Sequence, residues 1–275
     1  MRPSGRQALH DGLEAGLRRL ALADRLLVAS DFDGTLAPIV DRPDAVEPDL
    51  EALAELRRLA ELEDTRVAVI SGRSRAVLEQ HLGQGRAAHG GPGMILVGSH
   101  GAEFDPALLE GDGANGGPPP TRDPADEPVL AATAERLDAL AGEYAGAIVE
   151  RKPTAVAFHY RQVEEARREE AAHRAAALAD DGPLRIQAGH LVVELVAGDA
   201  NKGEAIDMLR QATGATATLF VGDDRTDEHA FARLGPGDLA VKIGPGSTCA
   251  PVRISSQKEV APLFRRLRAL RVARG

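Results

Sequence analysis

The chain has one cysteine, no apolar run of membrane-spanning length and no surplus of basic residues. A single cysteine, Cys249, excludes an internal disulfide framework and fits a reducing cytoplasm. Nothing near it marks it as a nucleophile, so it reads as a small buried residue. The missing apolar runs argue against a membrane protein. From Arg2 to Arg25 the chain mixes Asp, Glu and Arg with spaced leucines and lacks the apolar core of a signal peptide. This stretch reads as an amphipathic helix from Arg6 to Ala23. The net charge of -9 argues against nucleic acid as the main partner. An anionic small substrate stays open, because a local cluster of metal, Lys and Arg outweighs the global field. No internal repeat is present. The 275 residues, 43% of them hydrophobic, can bury a full core and divide into two domains.

The most informative stretch present is Leu26-Leu27-Val28-Ala29-Ser30-Asp31-Phe32-Asp33-Gly34-Thr35. A strand-like apolar run stops at two carboxylates one residue apart. Side chains i and i+2 of an extended chain share a side. Asp31 and Asp33 therefore face one cavity while Phe32 turns into the core. Two such carboxylates repel and desolvate badly unless a positive charge lies between them. A hard cation such as Mg²⁺, with its preference for oxygen ligands, meets that need.

Other short apolar runs end in Gly, Ser or Asp: Arg66–Ile70, Met94–Gly98, Thr218–Gly222 and Leu239–Ile243. Helical patterns lie between many of them, at Pro48–Glu63, Arg73–Leu82, Lys202–Thr213 and Asp227–Leu234. Alternating strands and helices indicate an α/β fold whose parallel sheet carries helices on both faces. Polar residues after each strand gather at the carboxyl edge, where such sheets bind ligands. The middle differs. Gly111–Pro128 is rich in Gly and Pro and reads as a mobile loop. A helix (Val129–Tyr144), a hairpin (Ala147–Arg161), a second helix (Val163–Asp180) and a second hairpin (Leu184–Val196, turning at Ala188-Gly189) follow. That order suggests an α+β unit inserted in a discontinuous core. The boundaries are 1–104 and 198–275 for the core and 105–197 for the insertion. The chain closes on an amphipathic helix, Glu259–Arg271.

Three polar clusters follow the later runs: Ser71-Gly72-Arg73, Lys202-Gly203, and Gly222-Asp223-Asp224-Arg225-Thr226-Asp227. With Asp31 and Asp33 they supply the parts of a phosphoryl-transfer site: a carboxylate nucleophile, a cation, and donors for the remaining oxygens. At this point the chain resembles the haloacid dehalogenase (HAD) superfamily of Asp-nucleophile phosphatases. DFDGT, Ser71, Lys202 and GDDRTD are similar to its four motifs. SGR at Ser71–Arg73, GSHG at Gly98–Gly101, the ExK and HYR within GAIVERKPTAVAFHYR, and GDDRTDE narrow the resemblance to the trehalose-6-phosphate phosphatases. The resemblance implies a HAD-like Rossmannoid core with an inserted α/β cap that selects substrate. It implies Asp31 as nucleophile and Asp33 as general acid, then base. Asp31, the backbone carbonyl of Asp33, and Asp223 would hold Mg²⁺. Ser71 and Lys202 would bind the phosphoryl group, with Asp227 anchoring Lys202 or a metal-bound water. Gly72, Arg73, His100 and Gly101 would line the substrate side, and Glu150, Lys152 and Glu194 would read the sugar. The implied partner is trehalose 6-phosphate, with functional coupling to a trehalose-6-phosphate synthase.

Geometry agrees in part. Glu150 and Lys152 sit at i and i+2 and share a strand face. His159, Tyr160 and Arg161 alternate faces, so they cannot all meet a ligand. One departure stands out. The family follows the later Glu with a hydrophobic residue and then Arg-Pro, whereas this chain reads Leu195-Val196-Ala197. Sucrose phosphate and a glycosyl-phosphoglycerate therefore remain alternative substrates. A non-catalytic regulatory module remains a third reading, although such a module should have lost a catalytic carboxylate or Lys202.

Overall fold

The computed structural model describes residues 5–40, 46–83, 93–104, 126–179, 182–189, 191–198 and 200–274. Its elements run α1 (Gly5–Ala21), β1 (Leu26–Ser30), α2 (Leu50–Ala60), β2 (Thr65–Ile70), α3 (Arg75–Leu82) and β3 (Ile95–Val97). There follow α4 (Asp126–Ala141), β4 (Ile148–Lys152), β5 (Ala155–His159), α5 (Glu165–Ala176), β6 (Arg185–Gly189) and β7 (Val192–Val196). The chain ends with α6 (Lys202–Thr213), β8 (Ala217–Gly222), α7 (Asp227–Phe231), β9 (Leu239–Ile243), β10 (Val252–Ile254) and α8 (Val260–Val272). Two compact units result: Met1–Pro119 with Asn201–Gly275, and Pro120–Ala200.

The first unit is built on a parallel sheet in the order β10-β9-β8-β1-β2-β3. Every residue of β1 is buried, as expected for a strand covered on both faces. Its alternation divides the core. Leu26 and Val28 join Leu17, Leu20, Leu56, Phe264 and Leu267 beneath α1, α2 and α8. Leu27 and Ala29 join Ile206, Leu209, Phe220 and Phe231 beneath α6 and α7. Each fully buried Leu or Phe contributes about 1.5–3 kcal/mol. Strand β1 pairs with β2 on one side and β8 on the other. The chain leaves β1 toward β2 and returns much later as β8, so the strand order switches beside β1. Carboxyl ends at such a switch point form the crevice where open α/β sheets bind ligands.

A buried acid ties two helices of this unit together. Glu55 of α2 is 1% exposed. Its Oε1 accepts from Arg58 at 2.8 Å and from Arg265 Nε at 3.3 Å, and its Oε2 accepts from Arg268 Nε at 2.8 Å. Burial pushes the carboxyl up, but the hydrogen bonds from Arg268 and Arg265 outweigh it and hold the group below its usual range. A depressed folded pKa stabilises above the unfolded value, and that stability is lost as pH falls through the folded value. Glu55→Gln is therefore expected to cost about 1–3 kcal/mol at neutral pH, with the gap from wild type shrinking below pH ~4. Urea unfolding across the acid range checks this; a pH-independent gap contradicts it.

The second unit is an antiparallel sheet in the order β4-β5-β7-β6. One face packs under α4 and α5 through Leu137, Ala171, Val156, Phe158, Val193 and Leu195. A parallel sheet flanked by helices, with a separate antiparallel sheet, agrees with the expected fold class.

Several local expectations need correction. The second hairpin does not turn at Ala188-Gly189: pairing continues to Gly189 opposite Val192. The reversal comes after it, with Leu191 carrying the left-handed conformation (φ 60) that a glycine usually supplies. Helix α4 already includes Asp126–Pro128, because proline is tolerated in a first turn; the rest of the Gly/Pro-rich loop, 111–125, lies outside the described residues. Strand β10, three residues long, carries too little pattern to be read. Cys249 is exposed rather than buried, its amide donating to Glu228 Oε2 at 2.9 Å. Among the described residues, no helix is long and apolar enough to cross a membrane.

Candidate active site

Asp31 is the first residue past β1, and its amide still donates to Val221 O at 2.9 Å. This bond holds it at the carboxyl edge beside β8. Phe32 then turns fully into the core, as its position between two acids suggests. Gly34 has φ +80, and a Cβ there would lie 2.1 Å from Asp223 Oδ2. Only glycine lets the loop after β8 bring its carboxylate this close. Asn201 caps α6 by accepting from the amides of Gly203 and Glu204 at 2.9 and 3.1 Å. The cap fixes Lys202 in the first turn, with its side chain buried.

Lys202 Nζ donates to Asp31 Oδ1 at 2.5 Å and to Asp227 Oδ1 at 2.6 Å. The three side chains are 2%, 5% and 0% exposed. Asp227 Oδ2 accepts from the Asp224 amide at 2.9 Å, so both of its oxygens are engaged. Burial pulls the Lys202 ammonium down, but Asp227 and Asp31 outweigh that and hold it well above its usual range. Burial pushes the Asp31 carboxyl well up, with Lys202 opposing and Asp227 and Asp223 reinforcing. Asp223 is pushed up to about 7, by burial first and Asp227 second. Among the described residues the three carboxylates share one directly bonded ammonium, Lys202, with Lys242 held on the Asp223 carbonyl, so buried carboxylates are in excess.

That excess suits a hard cation. Asp31, Asp223 and Asp227 each present a carboxylate oxygen, all within 4.8 Å of one another. With Asp227 committed to Lys202 and the Asp224 amide, Asp31 and Asp223 are the carboxylates best placed to ligate. An all-oxygen donor set of this kind fits Mg²⁺.

Asp33 lies in a different environment from Asp31. Its side chain is 37% exposed, and Arg73 holds both its oxygens, Nε to Oδ2 and Nη2 to Oδ1, each at 2.7 Å. The guanidinium also lies over the Phe32 ring, 5.6 Å from its centroid. Arg73 is not in the first turn of a helix, as the pattern suggests. Ser74 caps α3, which starts at Arg75, leaving Arg73 in the connecting turn with its side chain directed to Asp33. Ser71 is 1% exposed and its Oγ accepts from the Arg73 amide at 3.1 Å.

The turns after β2 and β3 are zipped together. The amides of His100 and Ser99 donate to Ser71 O and Arg73 O, both at 2.8 Å. His100 adopts a left-handed backbone (φ 56), and its ring covers Gly72, where a Cβ would meet Nε2 at 2.4 Å. Gly101 (φ +115) packs against Asn201 O at the start of α6. Gly72, Arg73, His100 and Gly101 thus share the edge that carries Ser71 and Lys202. The motifs overlook Lys242, whose buried Nζ donates to Ile243 O at 2.7 Å and to Asp223 O. Its only sequence signal is a lone charge inside the apolar run Leu239–Ile243.

In the second unit, Glu150 and Lys152 of β4, His159 of β5 and Glu194 of β7 occupy the sheet face opposite the helices. Glu150 is registered with Ala157, and Ala157 with Glu194. Lys152 Nζ reaches across β5 to Glu194 Oε1, and both side chains are buried. His159 Nε2 lies 2.8 Å from Glu150 Oε2. Val196 is registered with Arg185 of β6. The Arg185 guanidinium donates to Gly198 O at 2.8 Å.

Sheet order, the aspartate directly after β1, the buried lysine and the acids after β8 together place the chain in the haloacid dehalogenase fold class. The C-terminal domain of C. albicans trehalose-6-phosphate phosphatase superposes with a TM-score of 0.75 at 22% identity, covering 94% of this chain and 97% of that one. The trehalose-phosphatase family pattern matches residues 29–266, and the chain belongs to that family. A trehalose-phosphate phosphatase of Mycobacterium marinum is 35% identical over 254 residues, covering 88% of this chain and 61% of that protein. A bifunctional trehalose-6-phosphate synthase/phosphatase of Thermoproteus tenax is 34% identical over 253 residues, covering 90% of this chain and 32% of that protein. The chain therefore spans about three fifths of the length of the first relative and about a third of the second.

Proposed function

We propose that the chain is a Mg²⁺-dependent phosphatase that hydrolyses trehalose 6-phosphate through an aspartyl phosphate on Asp31. The observation that carries this reading is the buried Asp31–Lys202–Asp227 array beside Asp223, at the switch point of a parallel sheet. Asp31, Asp223 and the backbone carbonyl of Asp33 would hold Mg²⁺, which supplies charge neutralisation to the phosphoryl oxygens. Asp31 attacks phosphorus in line and the sugar oxygen departs with a proton from Asp33. Asp33 then takes a proton from the water that cleaves the aspartyl phosphate. Both transfers require Arg73 to release Asp33, and the freed guanidinium is a fitting donor for phosphoryl oxygens. Ser71 and Lys202 bind the phosphoryl group, and Asp227 keeps Lys202 aimed at Asp31. Gly72, His100 and Gly101 shape the edge around it.

The second unit, expected at 105–197, acts as the substrate-specificity unit. Its charged face bearing Glu150, Lys152 and Glu194 reads sugar hydroxyls, which reward buried charged partners. All the charged catalytic groups are present, which disfavours a non-catalytic module. The fused relative suggests that a trehalose-6-phosphate synthase supplies the substrate, and the exposed lone thiol suits the cytoplasm.

The test is phosphate release from trehalose 6-phosphate, sucrose 6-phosphate and glucose 6-phosphate, each with Mg²⁺ and with EDTA. The expected preference for trehalose 6-phosphate in kcat/KM is about a hundredfold. Equal turnover of all three defeats the substrate assignment, and EDTA-resistant turnover defeats the metal assignment.

A further inference from the structure

Glu150, Lys152 and Glu194 of the second unit are assigned to the sugar, and His159 on the same open face has no role beside them. On the open face of the sheet, strand β5 offers only Ala155 and Ala157, both buried, and then His159. The two alanines form a low floor between β4 and β7. Lys152 spans that floor to Glu194. Glu150 stands on the same wall as Lys152, two residues away, and is registered with Ala157. His159 is registered with Ile148, so its ring reaches Glu150 diagonally.

We propose that His159 is a positioning residue for sugar recognition: its Nε2 fixes one carboxylate oxygen of Glu150 and leaves the other to meet a sugar hydroxyl. This rests on the reading that Glu150, Lys152 and Glu194 recognise the sugar. The exposures support it. The Glu150 side chain remains 36% exposed while His159 is 22% exposed, so the pair is accessible although its members are fixed. Glu150 is held below its usual carboxylate range; burial opposes this, and the His159 hydrogen bond and the Lys152 charge overcome it. Without the imidazole, Lys152 is the cation that Glu150 faces along its own strand. The carboxylate then turns toward Lys152, which is already committed to Glu194. Two carboxylates sharing one ammonium present a different pattern to the sugar and weaken the Lys152–Glu194 pair. The imidazole thus keeps Glu150 apart as a separate acceptor.

The experiment compares His159→Gln and His159→Asn with wild type on trehalose 6-phosphate and on para-nitrophenyl phosphate, which has no sugar. A glutamine amide is long enough to reach the Glu150 oxygen, whereas an asparagine amide is too short. Expected for His159→Asn is a fall of about tenfold in the ratio of kcat/KM for the two substrates, carried by KM for the sugar phosphate. His159→Gln is expected to recover most of that ratio. Equal losses on both substrates, or equal behaviour of Gln and Asn, overturn the proposal, since a purely structural histidine would produce either. Glu150→Ala separates the layers. If it lowers the ratio while His159→Asn does not, sugar reading stands and the role of His159 fails. If Glu150→Ala also leaves the ratio unchanged, the reading beneath it fails, and the proposal with it.

Discussion

Asp31→Asn is expected to lower turnover of trehalose 6-phosphate by about ten-thousandfold or more. Asparagine matches aspartate in shape, so the amide from Asp31 to Val221 O and the approach of Lys202 can persist. What is lost is the anionic oxygen proposed to attack phosphorus, together with one carboxylate in the set suited to Mg²⁺. Stability should move the other way. Asp31 is buried beside Asp223 and Asp227, and its carboxyl is pushed well up by burial and by those neighbours. Removing one negative charge from that cluster relieves repulsion. The melting temperature in EDTA should therefore hold or rise while activity vanishes. Steady-state assays and a thermal melt on one preparation check both halves. Activity above about a tenth of wild type removes Asp31 from the nucleophile's role.

Lys202→Met carries the second large effect, and here stability and activity fall together. Methionine fills similar space but removes the ammonium bonded to Asp31 and Asp227. Breaking a buried pair from one side costs about 3–5 kcal/mol, because it strands uncompensated charge. Two carboxylates are stranded here, with Asp223 a third nearby. The cost should be read in EDTA by urea unfolding, and added Mg²⁺ should recover part of it by binding the folded state. Turnover should fall about a thousandfold even at saturating Mg²⁺, since the phosphoryl charge has lost its fixed counter-ion. A variant as stable as wild type in EDTA would show that Lys202 does not carry the charge balance of this site.

Much of this architecture is legible in the residue order, for physical reasons. A run such as Leu26–Ser30 that is apolar at every position demands burial on both faces, which points to a parallel sheet. An acid ending that run falls at the carboxyl edge, and the helical pattern opening at Lys202 brings the lysine to the same edge. Side-chain pairing is harder to read. Arg73 lies forty residues from Asp33, and nothing in their spacing says that one guanidinium takes both carboxylate oxygens. The Lys152–Glu194 pair depends on the register of β4, β5 and β7, which a one-residue slip would destroy. The hairpin reverses later than the pattern suggests, because Gly189 resembles a turn residue while Leu191 adopts the left-handed backbone. Cys249 is exposed against expectation, because burial of a lone small residue depends on tertiary neighbours. The buried Lys242, bound to the carbonyl of Asp223, belongs to no motif at all.

Selectivity and chemistry are carried by different units in this account. Asp31, Lys202, Asp223 and Asp227 belong to the first, and Glu150, Lys152, His159 and Glu194 to the second. Changes to the second unit should therefore act on KM for the sugar phosphate more than on the chemical step.

The central claim is that Asp31 itself takes the phosphoryl group. An acid-quenched single turnover of trehalose 6-phosphate with Mg²⁺, followed by peptide mass spectrometry, tests it most directly. The expected result is a hydroxylamine-sensitive phosphoryl adduct on the peptide containing Asp31, absent from Asp31→Asn. Full phosphate release with no adduct at any quench time, or an adduct on another residue, would contradict it.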